Sequence, residues 1–217
     1  MKRCRRLFGF FLCLFPVWVY GGQGSSCKTY PSLASFDMSA YRMCMAALHR
    51  CPAIKGHEDS DKNLYAKDLT CVDRVASNTR TCQPMIALAD LTQTGLTQLT
   101  VTRVKQLTMV NVYGIADGAE IYYVVTPQGC LINTAVLPSM LTQTLSKKYP
   151  NVNLWGENYG VLQYRSYPDG AQRVLVPLRI SVDCRACKSG GFVEVGFYFA
   201  PDGSFVKKQV IRFESDS

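Results

Sequence analysis

Two tripeptides, Pro168-Asp169-Gly170 and Pro201-Asp202-Gly203, each stand between runs of alternating apolar and polar residues. Proline presets the backbone angle of a turn, aspartate closes it with a side-chain hydrogen bond, and glycine takes the left-handed conformation, so each tripeptide marks a hairpin. In the run 171–182, Val174, Val176, Leu178, Ile180 and Val182 share one parity, while Arg173, Pro177, Arg179 and Ser181 take the other. Successive strand side chains point to opposite faces, so this strand buries one face and wets the other, as in an antiparallel sheet covered on one side. The run 192–200 repeats the pattern, setting Val193, Val195, Phe197 and Phe199 against Phe192, Glu194, Gly196 and Tyr198. Strands are expected at 160–167, 171–182, 192–200 and 204–213. Pro177 lacks an N–H and marks an edge or a bulge.

Upstream, the chain is helical before it is Thr- and Val-rich. Phe36, Met43, Ala47 and Leu48 have helical spacing over 36–50, and Pro52 ends that helix. Asp59, Ser60 and Asp61 offer caps for a second helix carrying Leu64, Tyr65, Leu69, Val72, Val75 and Ala76. Pro84 breaks it, and 85–91 reads as a third, short helix. A bent strand at 99–115, a strand at 119–127 joined through Asp117-Gly118, a short run at 130–134 and a helix from Pro138 to about Tyr149 follow. The expected class is therefore α+β: a Cys-rich helical segment, then a curved, mainly antiparallel sheet packed on one helix. This element order is similar to the cone-shaped fold of nuclear transport factor-type domains, with a cystatin-like helix-on-sheet arrangement as the alternative. The similarity lies in order alone and implies no activity.

The N-terminus reads as a signal peptide over 1–24. Lys2, Arg3, Arg5 and Arg6 precede an apolar stretch at 7–20, interrupted by Gly9 and Pro16, and Gly22 and Gly24 suit a cut after Gly24. The apolar run is shorter than the roughly 20 residues a membrane-spanning helix needs. Residues 25–95 are then the helical segment and 96–217 the sheet domain, together expected as one compact unit. Loss of the four basic leader residues lowers the net charge from +8 to +4. That modest value gives no reason to expect nucleic-acid binding. A periplasmic or secreted location follows from export. Gly24, Ser25 and Ser26 lack the large aliphatic residue that lipid attachment at Cys27 normally requires.

Eight cysteines remain after the leader: Cys27, Cys44, Cys51, Cys71, Cys82, Cys130, Cys184 and Cys187. An even count in an exported chain indicates disulfides, with connectivity open. Cys44 and Cys51 are seven apart and Cys71 and Cys82 eleven apart, so each pair shares a helix face. Two antiparallel helices stapled as Cys51–Cys71 and Cys44–Cys82 satisfy this, but the rises differ, about 10 Å against about 16 Å. A break near Asn78 would absorb the difference. Cys184 and Cys187 form a CxxC in a loop between strands, where no helix N-terminus lowers a thiol pKa, so a structural loop staple is expected there rather than a redox-active dithiol.

Catalytic chemistry is not indicated. No serine-hydrolase elbow, phosphate loop, zinc-protease motif or calcium loop occurs, and the two histidines, His49 and His57, both fall in the helical segment. Asp117, Glu120, Glu157, Asp169, Asp183 and Glu194 supply carboxylates, several of them at turns, where Asp serves the backbone. No cofactor and no metal are expected. Trp155, Tyr159 and Tyr164 are candidates to line a pocket within the sheet, which would suit an enzyme or small-ligand binder. The feature carrying most interest is a basic set, Arg165, Arg173, Arg179, Arg185 and Lys207, with Tyr167 and Tyr198. If registers align, it forms a stripe for a protein or other anionic envelope partner. The expected role is a non-enzymatic, disulfide-stapled binding protein, an envelope-complex component or an inhibitor of another protein.

Overall fold

The computed structural model describes residues 27–34, 36–55, 64–115, 119–150, 154–158, 160–182 and 189–216. Residues 1–24, expected as a signal peptide, and His57, Asp59, Asp117, Tyr159, Asp183, Cys184, Arg185 and Cys187 lie outside them.

Among the described residues, four α-helices and nine strands make an α+β fold with antiparallel sheets. Helix α1 spans Met38–Leu48 and α2 Leu69–Asn78. Their N-caps are aspartates: Asp37 accepts from the Ser39 N–H at 2.8 Å, and Asp68 from those of Thr70 and Cys71. Each satisfies donors that the first helical turn leaves without partners. The second helix thus starts later than the Leu64 and Tyr65 spacing implied. Ala53 and Lys67 form an isolated bridge, Ile54 N–H donates to the Ala66 carbonyl at 2.7 Å and Asp68 N–H to that of Pro52. These bonds hold the backbone around Lys67 extended, and Leu64–Ala66 becomes a single 3-10 turn. Helix α3 spans Gln83–Thr92.

Strands β1 (Leu99–Val104), β2 (Leu107–Ile115), β3 (Ala119–Val125) and β4 (Leu131–Asn133) form one sheet in that order. The expected bent strand at 99–115 is instead the hairpin β1–β2, turning at Lys105, whose φ is 56°. After α4 (Ser139–Lys148) come β5 (Leu154–Asn158), β6 (Gln163–Ser166), β7 (Gln172–Val182), β8 (Ser189–Phe199) and β9 (Phe205–Glu214). They form a second sheet ordered β5-β7-β8-β9, with β6 also on β7. The strands therefore divide into two sheets rather than following one curve. Gly156 N–H donates to the Ala135 carbonyl at 3.2 Å and the Asn158 amide to that of Glu120, tying β5 to the first sheet.

Pro177 sits inside the long strand β7 without breaking a ladder. β5 pairs with Leu178–Val182 and β6 with Gln172–Leu175, so the proline faces the gap between two short neighbours. Its missing donor is needed by neither.

The first sheet is covered on both faces. Leu99, Val101, Val110, Val112, Tyr123 and Val125 pack with Leu48, Val72, Met85 and Leu88 of the helices. Leu107, Val124 and Ile132 on its other face join Leu141 and Leu145 of α4 and the inner face of the second sheet. There Val174, Val176, Leu178, Ile180, Val193, Val195, Phe197 and Phe199 are buried, the faces the alternation assigned. Each large apolar side chain so buried contributes about 1.5–3 kcal/mol.

Among the described residues, three disulfides fasten the chain: Cys44–Cys82, Cys51–Cys71 and Cys27–Cys130. The first two are the staples that the helical spacing allowed. The mismatch in rise is absorbed where expected, since α2 ends at Asn78, Thr79 is extended, and a 3-10 turn at Arg80–Cys82 redirects Cys82. The third joins residues 103 apart. It is reinforced by Tyr30 N–H donating to the Gly129 carbonyl at 2.9 Å. Bonded to Cys130, the Cys27 sulfur is not free to carry a lipid.

Candidate functional site

With its apolar parity buried, the second sheet turns the opposite parity outward, and strand register decides which outward residues become neighbours. Arg165 on β6 pairs with Arg173 on β7, Arg173 with Tyr198 on β8, and Tyr198 with Lys207 on β9. Four of the residues singled out from sequence thus form one row across four strands, each about 4.8 Å from the next. Arg165 and Lys207 are exposed, Arg173 and Tyr198 half-buried.

No carboxylate neutralises this row among the described residues. Arg165 lies over the Tyr167 ring at 5.4 Å and the Lys207 ammonium over the Tyr198 ring at 5.1 Å. Arg173 Nε is buried without a hydrogen-bond acceptor. Two arginines face each other directly across β6 and β7, and like charges so placed are destabilising. The row lies beside the two Pro-Asp-Gly turns, which join β6 to β7 and β8 to β9. Asp169 accepts from Ala171 N–H at 3.0 Å and Asp202 from the Ser204 N–H and hydroxyl, bonds that hold the Asp202 carboxyl below the usual carboxylate range. Their acids are spent on the turns.

Arg179 does not join the row. Its register neighbours are Glu157, Phe192 and, one strand on, Glu214. Glu157 approaches it at 3.7 Å, and Arg212 bonds Glu214, so this band is electrically balanced. Between the bands lies a shallow hollow of about 180 Å³ lined by Pro177, Phe192, Glu194, Arg212 and Glu214. A second hollow of about 500 Å³ lies by Phe36, Asp37, Met38, Arg103 and Pro127. Its polar groups are already engaged: Arg103 donates to the Phe36 and Lys105 carbonyls, and Asp37 caps α1.

The remaining candidates are scattered. Glu120 accepts from the Tyr122 hydroxyl at 2.9 Å and the Asn111 amide at 3.2 Å. Desolvation, helped by that hydrogen bond and the adjacent negative charge, pushes Tyr122 up to about 12. Tyr164 bonds Gln172 at 3.0 Å and leans on the inner core, which Phe197 and Phe199 fill. His49 ends α1, and no metal-ligating cluster occurs among the described residues.

Two features were not foreseen. A β-carbon on Gly196 would meet Tyr198 Cε2 at 3.0 Å and Ile211 Cδ1 at 3.1 Å, so both side chains lean over the glycine. Lys208 pairs with Phe197 on the inner face, its ammonium near the Val136 and Leu137 carbonyls, and burial lowers its pKa. Register shifts at Val195/Glu194 and Phe199/Tyr198 interrupt the parity of β9, so alternation could not locate Lys208, whereas it put Gly196 on the outward face without showing what leans over it.

The chain matches no protein-family model, no curated protein and no solved structure. The likeness to a cone fold therefore rests on element order alone.

Proposed function

We propose that this chain is an exported binding protein of the periplasm or cell envelope, without catalytic chemistry of its own, that holds an anionic partner on the outer face of its second sheet. The observation carrying this reading is the row Arg165, Arg173, Tyr198 and Lys207, whose three cations have no acidic counterpart among the described residues. A protein gains nothing in stability from aligning like charges, whereas an anion on the face gains from all three. Three disulfides support residence where thiols oxidise. No helix among the described residues is long and apolar enough to cross a membrane. Arg185, outside the described residues, is proposed as a further contact in its own right.

Retention of residues 25–217 on an anionic resin tests the reading. Arg173→Ala with Lys207→Ala is compared with Lys55→Ala and Lys147→Ala, which remove the same charge elsewhere. The row variant should elute at distinctly lower salt. Equal shifts in the two variants would mean that net charge alone binds the resin, and the reading falls.

A further inference from the structure

The row is more than a charged strip, because of what lies at its centre. Tyr198 inclines over Gly196, the one position in its column with no side chain, and Ile211 closes on the same glycine from β9. A larger residue there would lift the ring off the sheet. The ring thus inclines along the surface with an edge toward Gly196 and the Lys207 ammonium over it at 5.1 Å. Gly196 is itself flanked in register by Leu175 and Gln209, and Leu175 in turn by Gln163. Both glutamines are exposed. One short patch therefore presents a leaning aromatic ring, two amides that donate and accept, and cations on either side of the ring, Arg173 and Lys207, each about one strand spacing away.

From this juxtaposition, and resting on the anion-binding reading above, we infer that the partner is an acidic polysaccharide. The C–H face of a sugar ring packs against Tyr198, its hydroxyls bond Gln163 and Gln209, and its carboxylate, sulfate or phosphate substituents pair with Arg173 and Lys207. An acidic peptide uses the cations but leaves the ring and amides without a specific role. A bilayer headgroup layer likewise needs charge, and binds through inserted apolar side chains rather than a ring inclined along a sheet. Lys207 covers Tyr198 in the free protein. An incoming acidic sugar displaces the ammonium from the ring face and receives it as a counter-ion.

Titrations of residues 25–217 with four probes test this: polygalacturonate, its fully methyl-esterified neutral form, poly-L-glutamate, and vesicles containing phosphatidylglycerol. Polygalacturonate should bind most tightly and the ester most weakly. Tyr198→Ala should weaken polygalacturonate about two- to tenfold, the range of an aromatic packing contact. It should leave polyglutamate unchanged, and Tyr198→Phe should retain binding. Gly196→Ala, which displaces the ring but removes no charge, should reproduce the loss, with far-UV circular dichroism confirming the fold of each variant. Equal or tighter binding of polyglutamate or vesicles, or indifference of polygalacturonate to Tyr198→Ala, overturns the polysaccharide and leaves the anion-binding reading standing. Failure of every anionic probe removes both.

Discussion

The two staples of the helical segment are nested, and this makes their contribution to stability calculable. Cys51–Cys71 closes a loop of 20 residues and Cys44–Cys82 one of 38. While the inner bond is intact, a path between Cys44 and Cys82 runs seven residues to Cys51, crosses the bond, and runs eleven more from Cys71. The outer bond then closes an effective loop about half as long as the sequence suggests. In the chain-entropy account, its removal costs about 3 kcal/mol with the inner bond present and about 4 kcal/mol without it. The difference, about 0.6 kcal/mol, is what one doubling of loop length costs. Urea denaturation of the oxidised protein would compare Cys44→Ala/Cys82→Ala, Cys51→Ala/Cys71→Ala and the fourfold variant. Any cavity cost at the fully buried Cys44 and Cys82 cancels around the cycle. Loss of less than about 1 kcal/mol in the outer variant, or a smaller outer contribution when the inner bond is absent, refutes the reasoning. Either result would mean that the denatured chain keeps the helices together by other contacts.

Burial lowers the Lys208 pKa, so the unfolded chain holds this proton more tightly, and stability should rise as pH climbs from below the folded value past the unfolded one near 10.5. Lys208→Met should abolish that alkaline rise and raise the urea midpoint at pH 7. In ultraviolet titration, Tyr122 should resist ionisation until about pH 12, and Glu120→Gln should lower its pKa only in part, because the adjacent charge is lost while desolvation and an amide acceptor remain. Gly156→Ala would place a methyl 2.6 Å from the Ala135 carbonyl oxygen and 3.0 Å from Leu178 Cδ1. It should destabilise the protein by about 1–3 kcal/mol and speed amide exchange in β5, read by hydrogen–deuterium exchange.

Legibility in the sequence followed the range of the interaction. The Pro-Asp-Gly hairpins and the faces of β7 and β8 depend on neighbours within a few residues, and they stand in the structure where alternation put them. The β1–β2 hairpin was hidden because Lys105-Gln106 carries none of the usual turn residues. A lysine takes the left-handed conformation there, its carbonyl accepting from Arg103 Nε at 3.0 Å. Strand β5 carries no local signal because its place is set by pairing with the distant β7, from Leu154↔Val182 to Asn158↔Leu178, and by Gly156 and Asn158 reaching Ala135 and Glu120. Of the basic set, Arg165, Arg173 and Lys207 meet in one row and Arg179 does not, a distinction made by register alone.

The order of residues thus determined local conformation: which segments are helix or strand, where two tight turns fall, which side chains of β7 and β8 face inward, and that cysteines seven and eleven apart suit stapled helices. Tertiary structure decided which strands share a sheet and which outward residues stand side by side. The reason is that a strand's side-chain period is a property of its own backbone, whereas its register is set by hydrogen bonds to a distant partner and by the bulges that interrupt them.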